Sequence, residues 1–464
     1  MIRFILNNEE IETDLPSGMT VLDFVRVKRK LKGTKIGCRE GDCGACTVLV
    51  GTVSDDRVRY RSMTSCLMPL ANAHGKHVVT VEGINPVDGS MTPVQEALVA
   101  HSGTQCGFCT VGFVMSLTGY CLDSEVRSPT AALASVDGNI CRCTGYKSIE
   151  RASIELAELG ANGDSISKGV VPGYFASIHK RLSEISGSEA KSQSSEAGAL
   201  VGGGTDLYVQ RPDEMAETRN RNLFDDPTLK HISNAGDEIL VGSATVVTDL
   251  LESELLRGLF PNLDEDLRLV SSTPIRNMAT VAGNLANASP IGDLTIWFLA
   301  LDSFLVFSSG RRLPLRDFYL GYKNIDLRES EAIHAVGFKK PGNGFRFSFE
   351  KVCKRQFLDI ASVNTAISLS EVDGRLEAVR LSAGGVSPVP LYLRETSEFL
   401  EGKAVACEVV MQALEIMDSE ISPIDDVRGS SAYKRLLLRR LVIAHFLEIF
   451  KDRVELVDEL GGMV

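Results

Sequence analysis

The chain has 464 residues, 44% apolar and 24% charged, with a net charge of −12. At roughly 100–200 residues per domain it calls for about three domains, each with room for a core, and the acidic balance argues against nucleic acid or an anionic membrane surface as its main partner. No apolar run approaches the ~18 residues of a membrane span and the start, MIRFILNNEEIETDL, carries no basic-plus-apolar leader pattern, so a cytoplasmic location is expected.

In chain order, Ile2, Phe4 and Leu6 alternate and predict a strand hairpin. TVLDFVRVKRK, from Thr20 to Lys30, reads as a short helix. Next comes GCREGDCGACTVLV, from Gly37 to Val50, with cysteines at Cys38, Cys43 and Cys46; Cys66 follows 20 residues later in TSCLMPL. Eleven cysteines would suit a disulfide framework only in a short secreted chain. Nine of them lie in the first 143 residues, which asks for a metal or redox explanation of that region. Cys-x4-Cys-x2-Cys followed by a distant cysteine is the plant-type spacing for a [2Fe–2S] cluster. Gly37, Gly41 and Gly44 allow a tight loop whose amides turn onto the cluster sulfurs. Zinc in a four-cysteine site is the alternative, although such sites more often use two CxxC knuckles. The run Thr47–Val50 is β-branched and apolar, and a small β-rich domain ends near Val81.

A second quartet follows: Cys106 and Cys109 in TQCGFCTVGF, then Cys141 and Cys143 in GNICRCTGY. Thr110–Cys121 has helical spacing at Phe113, Leu117 and Tyr120, and Pro129 opens another helical segment. Two antiparallel helices can bring both pairs of cysteines to one end, where they ligate a second cluster. The alternative is four small core residues. Cys121 fits neither pattern and is read as core.

A plant-type quartet followed by CGFC and CRCTGY resembles the iron–sulfur region of the molybdenum hydroxylase family, which includes xanthine dehydrogenase, aldehyde oxidase and carbon monoxide dehydrogenase. The resemblance covers residues 1 to about 155. It implies two [2Fe–2S] clusters, one in a plant-ferredoxin-like β-grasp domain held by Cys38, Cys43, Cys46 and Cys66, the other in a four-helix domain held by Cys106, Cys109, Cys141 and Cys143.

SIERASIELAEL continues the helical pattern, and the loose stretches GANGDSISKG and Ser183–Ala199 read as linker. Then comes ALVGGGTDLYV. Gly202, Gly203 and Gly204 allow close backbone approach to a ligand, their amides can cradle a phosphate, and Thr205 adds a hydroxyl. The loop is neither a P-loop nor a Rossmann fingerprint, and a plain tight turn is its bland reading. SSTPIRNMATVAGNLANASPIGDL, from Ser271 to Leu294, is rich in small and hydrogen-bonding residues; it suits a cofactor or, more simply, an irregular loop between strands.

Both segments resemble the FAD-binding domain of the same family. The resemblance implies FAD contacts from Leu200, Val201, Gly202, Gly203, Gly204, Thr205, Asp206 and Leu207, and from Thr280, Val281, Ala282, Gly283 and Asn284, with Asp293 nearby. Ala282 stands where relatives often have a second glycine, and Val270 where some place an aromatic. In EKVCKRQFLDIASVNTAISL, from Glu350, the resemblance implies that Lys351 contacts FAD and that the loop Lys354–Asp359 gates the access of NAD; a solvated surface lysine is the other reading of Lys351. Strands over IASVNTAISL and LEAVRLSAGG and a helix over YKRLLLRRLVIAHFLEIF, basic on one side and apolar on the other, complete the pattern. That helix is read as core packing with a solvated face, the alternative being a subunit contact.

The expected fold is thus α+β and multidomain: a β-grasp domain over 1–82, a four-helix [2Fe–2S] domain over 83–158, a linker over 159–198, a two-part α+β FAD-binding domain over 199–344 and an α+β C-terminal flavoprotein domain over 345–464. Clusters pass single electrons, nicotinamide takes two as hydride, and a flavin handles both. No molybdenum-cofactor segment is found, so that cofactor is expected on a large partner chain in an (αβ)2 heterotetramer. Within the family, the pattern is most similar to the small iron–sulfur/FAD subunit of a bacterial two-chain xanthine dehydrogenase. That similarity implies electron flow from molybdenum through the clusters and FAD to NAD+, with hypoxanthine and xanthine converted to urate in purine metabolism. The alternatives are the equivalent subunit for an aldehyde, carbon monoxide or an N-heterocycle, and a stand-alone reductase.

Overall fold

Apolar alternation near the N-terminus sets up the first sheet. In the computed structural model, which describes residues 1–123, 128–157, 159, 165–187, 198–329, 331–355 and 357–462, β1 (Ile2–Leu6) and β2 (Glu9–Thr13) form an antiparallel hairpin. With β3 (Thr47–Ser54), β4 (Arg57–Thr64) and β5 (His77–Val79) they make a five-stranded sheet, ordered β2-β1-β5-β3-β4. Only the β1–β5 pair is parallel. Thr20 caps a single α-helical turn, Val21–Asp23, which widens into a π-helical turn over Phe24–Lys28. The helix expected at Thr20–Lys30 is therefore in place but irregular.

Four helices follow, Pro93–Ala100, Thr110–Asp123, Pro129–Ala134 and Lys147–Leu156. Their starts are signalled locally. Thr92 forms a capping box with Gln95, and Ser128 caps a helix with Pro129 in its first turn. Phe113, Leu117, Tyr120, Cys121, Ile149 and Leu156 share one core, so Cys121 is a core residue.

Residues 160–164 and 188–197 of the expected linker lie outside the described residues. Between them the chain is built into the fold: a 3₁₀ turn, Gly173–Ser177, leads into the helix Ile178–Gly187. Ile178, Leu182 and Ile185 of that helix pack on Ile5 of β1. This corrects the reading of 159–198 as linker throughout. An i, i+4, i+7 apolar stripe was masked by the surrounding Ser, Glu and Gly, and it explains why both faces of β1 are buried.

The chain divides into two compact units, Met1–Asp225 with Ser272–Ala279, and Asp226–Ser271 with Thr280–Val464. In the second, strands Arg312–Pro314, Phe304–Phe307, Ile333–Lys339, Glu238–Gly242 and Ile232–Ala235 form one sheet in that order. Phe345–Val352, Val363–Val372, Arg375–Gly384 and Leu391–Tyr392 form another. The helix Ser431–Ile449 buries Leu438, Val442, Phe446 and Ile449 against this second sheet's core. Its Arg435 and Arg439 pair with Asp418, at 3.2 and 2.5 Å, on the helix Cys407–Glu420. Its basic side is thus partly tied to a neighbouring helix. Among the described residues, no helix is long and apolar enough to cross a membrane.

Candidate functional site

The loop after the first helical turns is shaped by residues in the left-handed region: Arg39 at φ 61°, Gly41 at 80° and Gly44 at 67°. It brings the first four cysteines together in two pairs, Cys38 with Cys43 and Cys46 with Cys66. The hydrogen bond from Cys43 holds the Cys38 thiol down at about 5 against burial. Cys66 in turn rises well above its ordinary value, through its bond to Cys46 and its burial. Backbone amides aim at these sulfurs. Glu40 donates to Cys38 Sγ at 3.3 Å, Ala45 to Cys43 and Gly41 to Cys66. There is no spare room in the loop, since a Cβ at Gly37 would lie 2.6 Å from Cys43 Sγ. Cys46 and Cys66 are buried, Cys38 and Cys43 half-buried.

The second four come from two turns, one before the helix Thr110–Asp123 and one before Lys147–Leu156. Cys109 pairs with Cys141, and Cys106 with Cys143. Burial, then the Cys141 bond, pushes Cys109 up to about 12. Burial alone would raise Cys141 too, but the Thr144 hydroxyl, donating at 3.1 Å, helps bring it below its ordinary value. Gly145 and Tyr146, at φ 63° and 68°, close the turn. Cys141 is buried, Cys109 half-buried, and Cys106 and Cys143 exposed, so this quartet reaches the surface.

Thiols paired two by two suit a two-iron cluster, where each iron takes two thiolates. The donor set and the amides around the first quartet fit such a group. The quartets are directly connected: the Ile140 amide donates to the Cys43 carbonyl at 3.1 Å. Ile140 is the residue before Cys141. Beside it Asn139 Nδ2 donates to the Gly44 carbonyl at 3.2 Å, and Ser116 Oγ holds Asn139 Oδ1 at 2.8 Å.

In the same unit, Leu200–Val201 is a short strand and Leu207 starts the helical turn Leu207–Gln210, with Asp206 at its N-cap. Between them run Gly202, Gly203, Gly204 and Thr205. Gly204 sits at φ 83°, and a Cβ at Gly203 would lie 1.8 Å from the Met278 carbonyl. Among the described residues, the amides of Gly202, Gly203, Gly204 and Thr205 donate to no protein acceptor. Consecutive unengaged amides form a concavity for an anion, which fits a dinucleotide's phosphates.

Thr280–Asn284 belongs to the second unit. The stretch Ser271–Leu294 is not an irregular loop but carries three short helices, Thr273–Arg276, Val281–Asn287 and Asp293–Leu299. Thr280 caps the middle one, accepting from the Gly283 amide at 3.2 Å. Val281 and Ala282 donate to the Thr245 and Ser243 carbonyls at 2.9 and 3.1 Å. Ala282 is helical, which is why an alanine fits there. Asn284 Oδ1 accepts from the Thr295 amide at 3.2 Å. Val270 is buried.

Lys351 is not a solvated lysine. Its side chain is 1% exposed, and its Nζ donates to Asp293 Oδ2 and the Leu269 carbonyl, both at 2.7 Å. An ammonium has three donors, so one remains for a ligand. The structure adds a residue that the sequence reading passed over. Asn364 Nδ2 donates to Asp293 Oδ1 at 2.6 Å. Its signal was present, as a polar side chain in the apolar run of a central strand.

Residues 4–71 match the family described as 2Fe-2S iron-sulfur cluster binding domain and residues 80–153 the [2Fe-2S] binding domain. Residues 180–338 match the FAD binding domain in molybdopterin dehydrogenase, and 348–449 the CO dehydrogenase flavoprotein C-terminal domain. Xanthine dehydrogenase 1 of Arabidopsis thaliana is 29% identical over 94% of this chain and 38% of its own length. Xanthine dehydrogenase of Emericella nidulans is 30% identical over 87% of this chain and 35% of its own. The chain therefore spans well under half the length of these relatives. Among solved structures, carbon monoxide dehydrogenase from Hydrogenophaga pseudoflava is 25% identical with a TM-score of 0.51, covering 54% of this chain and 88% of that one. Quinoline 2-oxidoreductase from Pseudomonas putida 86 shares the fold, at 23% identity and a TM-score of 0.50 over 54% of this chain and 89% of its own.

Proposed function

Because this chain belongs to the molybdenum hydroxylase family, we propose that it is the electron-transfer subunit of a xanthine dehydrogenase, carrying electrons from a molybdenum centre on a large partner chain to NAD+. The single observation behind this reading is the Ile140–Cys43 hydrogen bond, which joins two cysteine quartets in series within one unit. Cys38, Cys43, Cys46 and Cys66 hold one [2Fe–2S] cluster, and Cys106, Cys109, Cys141 and Cys143 the other. The proposed FAD contacts are Leu200–Leu207 in the first unit and, in the second, Thr280–Asn284, Asp293 and Lys351. When bound, clusters exchange single electrons and FAD one or two, which matches a one-electron supply to the hydride that NAD+ accepts.

The chain's own residues set the conditions for that traffic. Amides on the sulfurs favour the extra negative charge of the reduced state. Burial of Cys46 and Cys66 keeps water off the inner site. Exposed Cys106 and Cys143 offer the partner's donor a close approach. In the loop Lys354–Asp359, proposed to control the approach of NAD, the Arg355 amide donates to Asp359 Oδ2 at 2.9 Å and Lys354 Nζ to the Val427 carbonyl at 3.2 Å. Gln356 lies outside the described residues.

Hypoxanthine and xanthine, oxidised to urate, are the proposed substrates. Supporting this, the likeness to xanthine dehydrogenases runs through cluster and flavin regions together, over 94% of the chain. Purification of the tagged chain from its host tests the reading. The expected outcome is an (αβ)2 heterotetramer with a large molybdenum-containing chain that reduces NAD+ with xanthine. Turnover of carbon monoxide, an aldehyde or an N-heterocycle instead of xanthine would assign a sister enzyme. A lone chain active as a reductase would overturn the subunit role.

A further inference from the structure

We propose that Asn364 is a positioning residue for the flavin site, acting through Asp293 on Lys351; the proposal rests on the flavin reading above. Asn364 lies on the strand Val363–Val372, directly opposite Lys351 of Phe345–Val352 in the antiparallel ladder. It is fully buried. Its side-chain nitrogen faces two acceptors, Asp293 Oδ1 at 2.6 Å and the Ile291 carbonyl at 3.3 Å. Since both only accept, the amide orientation is set by chemistry. The other oxygen of Asp293 accepts from Lys351 Nζ at 2.7 Å. Two side chains facing each other across a strand pair therefore take one carboxylate oxygen each.

The consequence is geometric. A carboxylate held at one oxygen still rotates about its Cβ–Cγ bond. Held at both, it presents a fixed acceptor to Lys351. Lys351 Nζ is held again by the Leu269 carbonyl, and two fixed N–H directions on a tetrahedral ammonium determine the third. That third N–H is the one left for a ligand. Asn364 thus aims a charged donor that it does not touch. Its pocket is built for it: a Cβ at the opposite residue, Gly384, would lie 2.1 Å from Asn364 Oδ1. The Asn364 Oδ1 has no partner among the described residues, so the nitrogen side is what this buried amide contributes.

The test is a double-mutant cycle on the purified complex, stripped of flavin and titrated with FAD, with thermal unfolding of the flavin-free form as the control for folding. Asn364→Ala is expected to weaken FAD binding about tenfold. Asn364→Asp should weaken it more, because it sets a second carboxylate beside Asp293. Lys351→Ala should cost at least as much as Asn364→Ala, and the double variant should bind within about twofold of Lys351→Ala alone. Should Asn364→Ala not fold, Asn364→Ser, which keeps a short donor, takes its place in the cycle. Unchanged FAD affinity in the Asn364 variant, or losses that multiply in the double variant, would overturn the proposal. A parent complex that takes up no FAD would bring down the flavin reading itself, before any variant is compared.

Discussion

Asp266 is only 6% exposed, on the helix Leu263–Arg268. Burial pushes its carboxyl up to about 7, the charges of Glu350 and Glu265 add to the rise, and the Trp297 indole N–H, which has no partner at full hydrogen-bond distance, offsets only part of it. The folded chain therefore keeps a proton that the unfolded chain loses near pH 4. Stability from this group is present below about pH 4 and falls as pH rises through about 7, by on the order of a few kcal/mol. Asp266→Asn should raise the unfolding temperature at pH 8 and leave it nearly unchanged at pH 4. An equal shift at both pH values would show that packing, not the proton, is responsible. At this scale the sequence offered types but not environments: neither the buried Asp266 nor the buried Lys351 differs in pattern from a surface residue.

Short elements decide how distant parts of the chain meet. The helix Thr273–Arg276 belongs to the first unit although the chain on both sides of it belongs to the second. It is held by an ion pair between Arg276 and Asp137, whose side chains are 3% and 4% exposed, and by the Thr273 amide donating to Asp137 at 2.7 Å. Removing one partner of a buried pair typically costs about 3–5 kcal/mol, because the other charge stays buried. Arg276→Ala should therefore lower the unfolding temperature well beyond a surface Arg→Ala such as Arg257→Ala; equal effects would discount the pair. The capped helices Pro93–Ala100 and Pro129–Ala134 were legible because caps and N-terminal prolines act within a few residues. The helix Ile178–Gly187 and the helical turns after Ser271 were harder, since Ser, Asn and Gly favour turns until tertiary packing overrides them.

For the whole molecule, the test of the two quartets is direct. Cys43→Ser and Cys106→Ser should each remove a different one of two paramagnetic resonance signals from the reduced protein. Retention of both signals in either variant would sink the ligand assignment. Cysteine spacing and glycine placement were legible in the sequence alone where one loop suffices, since Cys38, Cys43 and Cys46 lie within nine residues; Cys66, and the two turns that carry Cys106, Cys109, Cys141 and Cys143, come together only through the fold. Which residues meet across the fold was decided by tertiary structure. Arg276 reaches Asp137 across 139 positions, Asn364 reaches Asp293 across 71 and Lys351 reaches it across 58. Such encounters depend on how strands and helices pack, and no local pattern in a chain encodes the partner waiting at that distance.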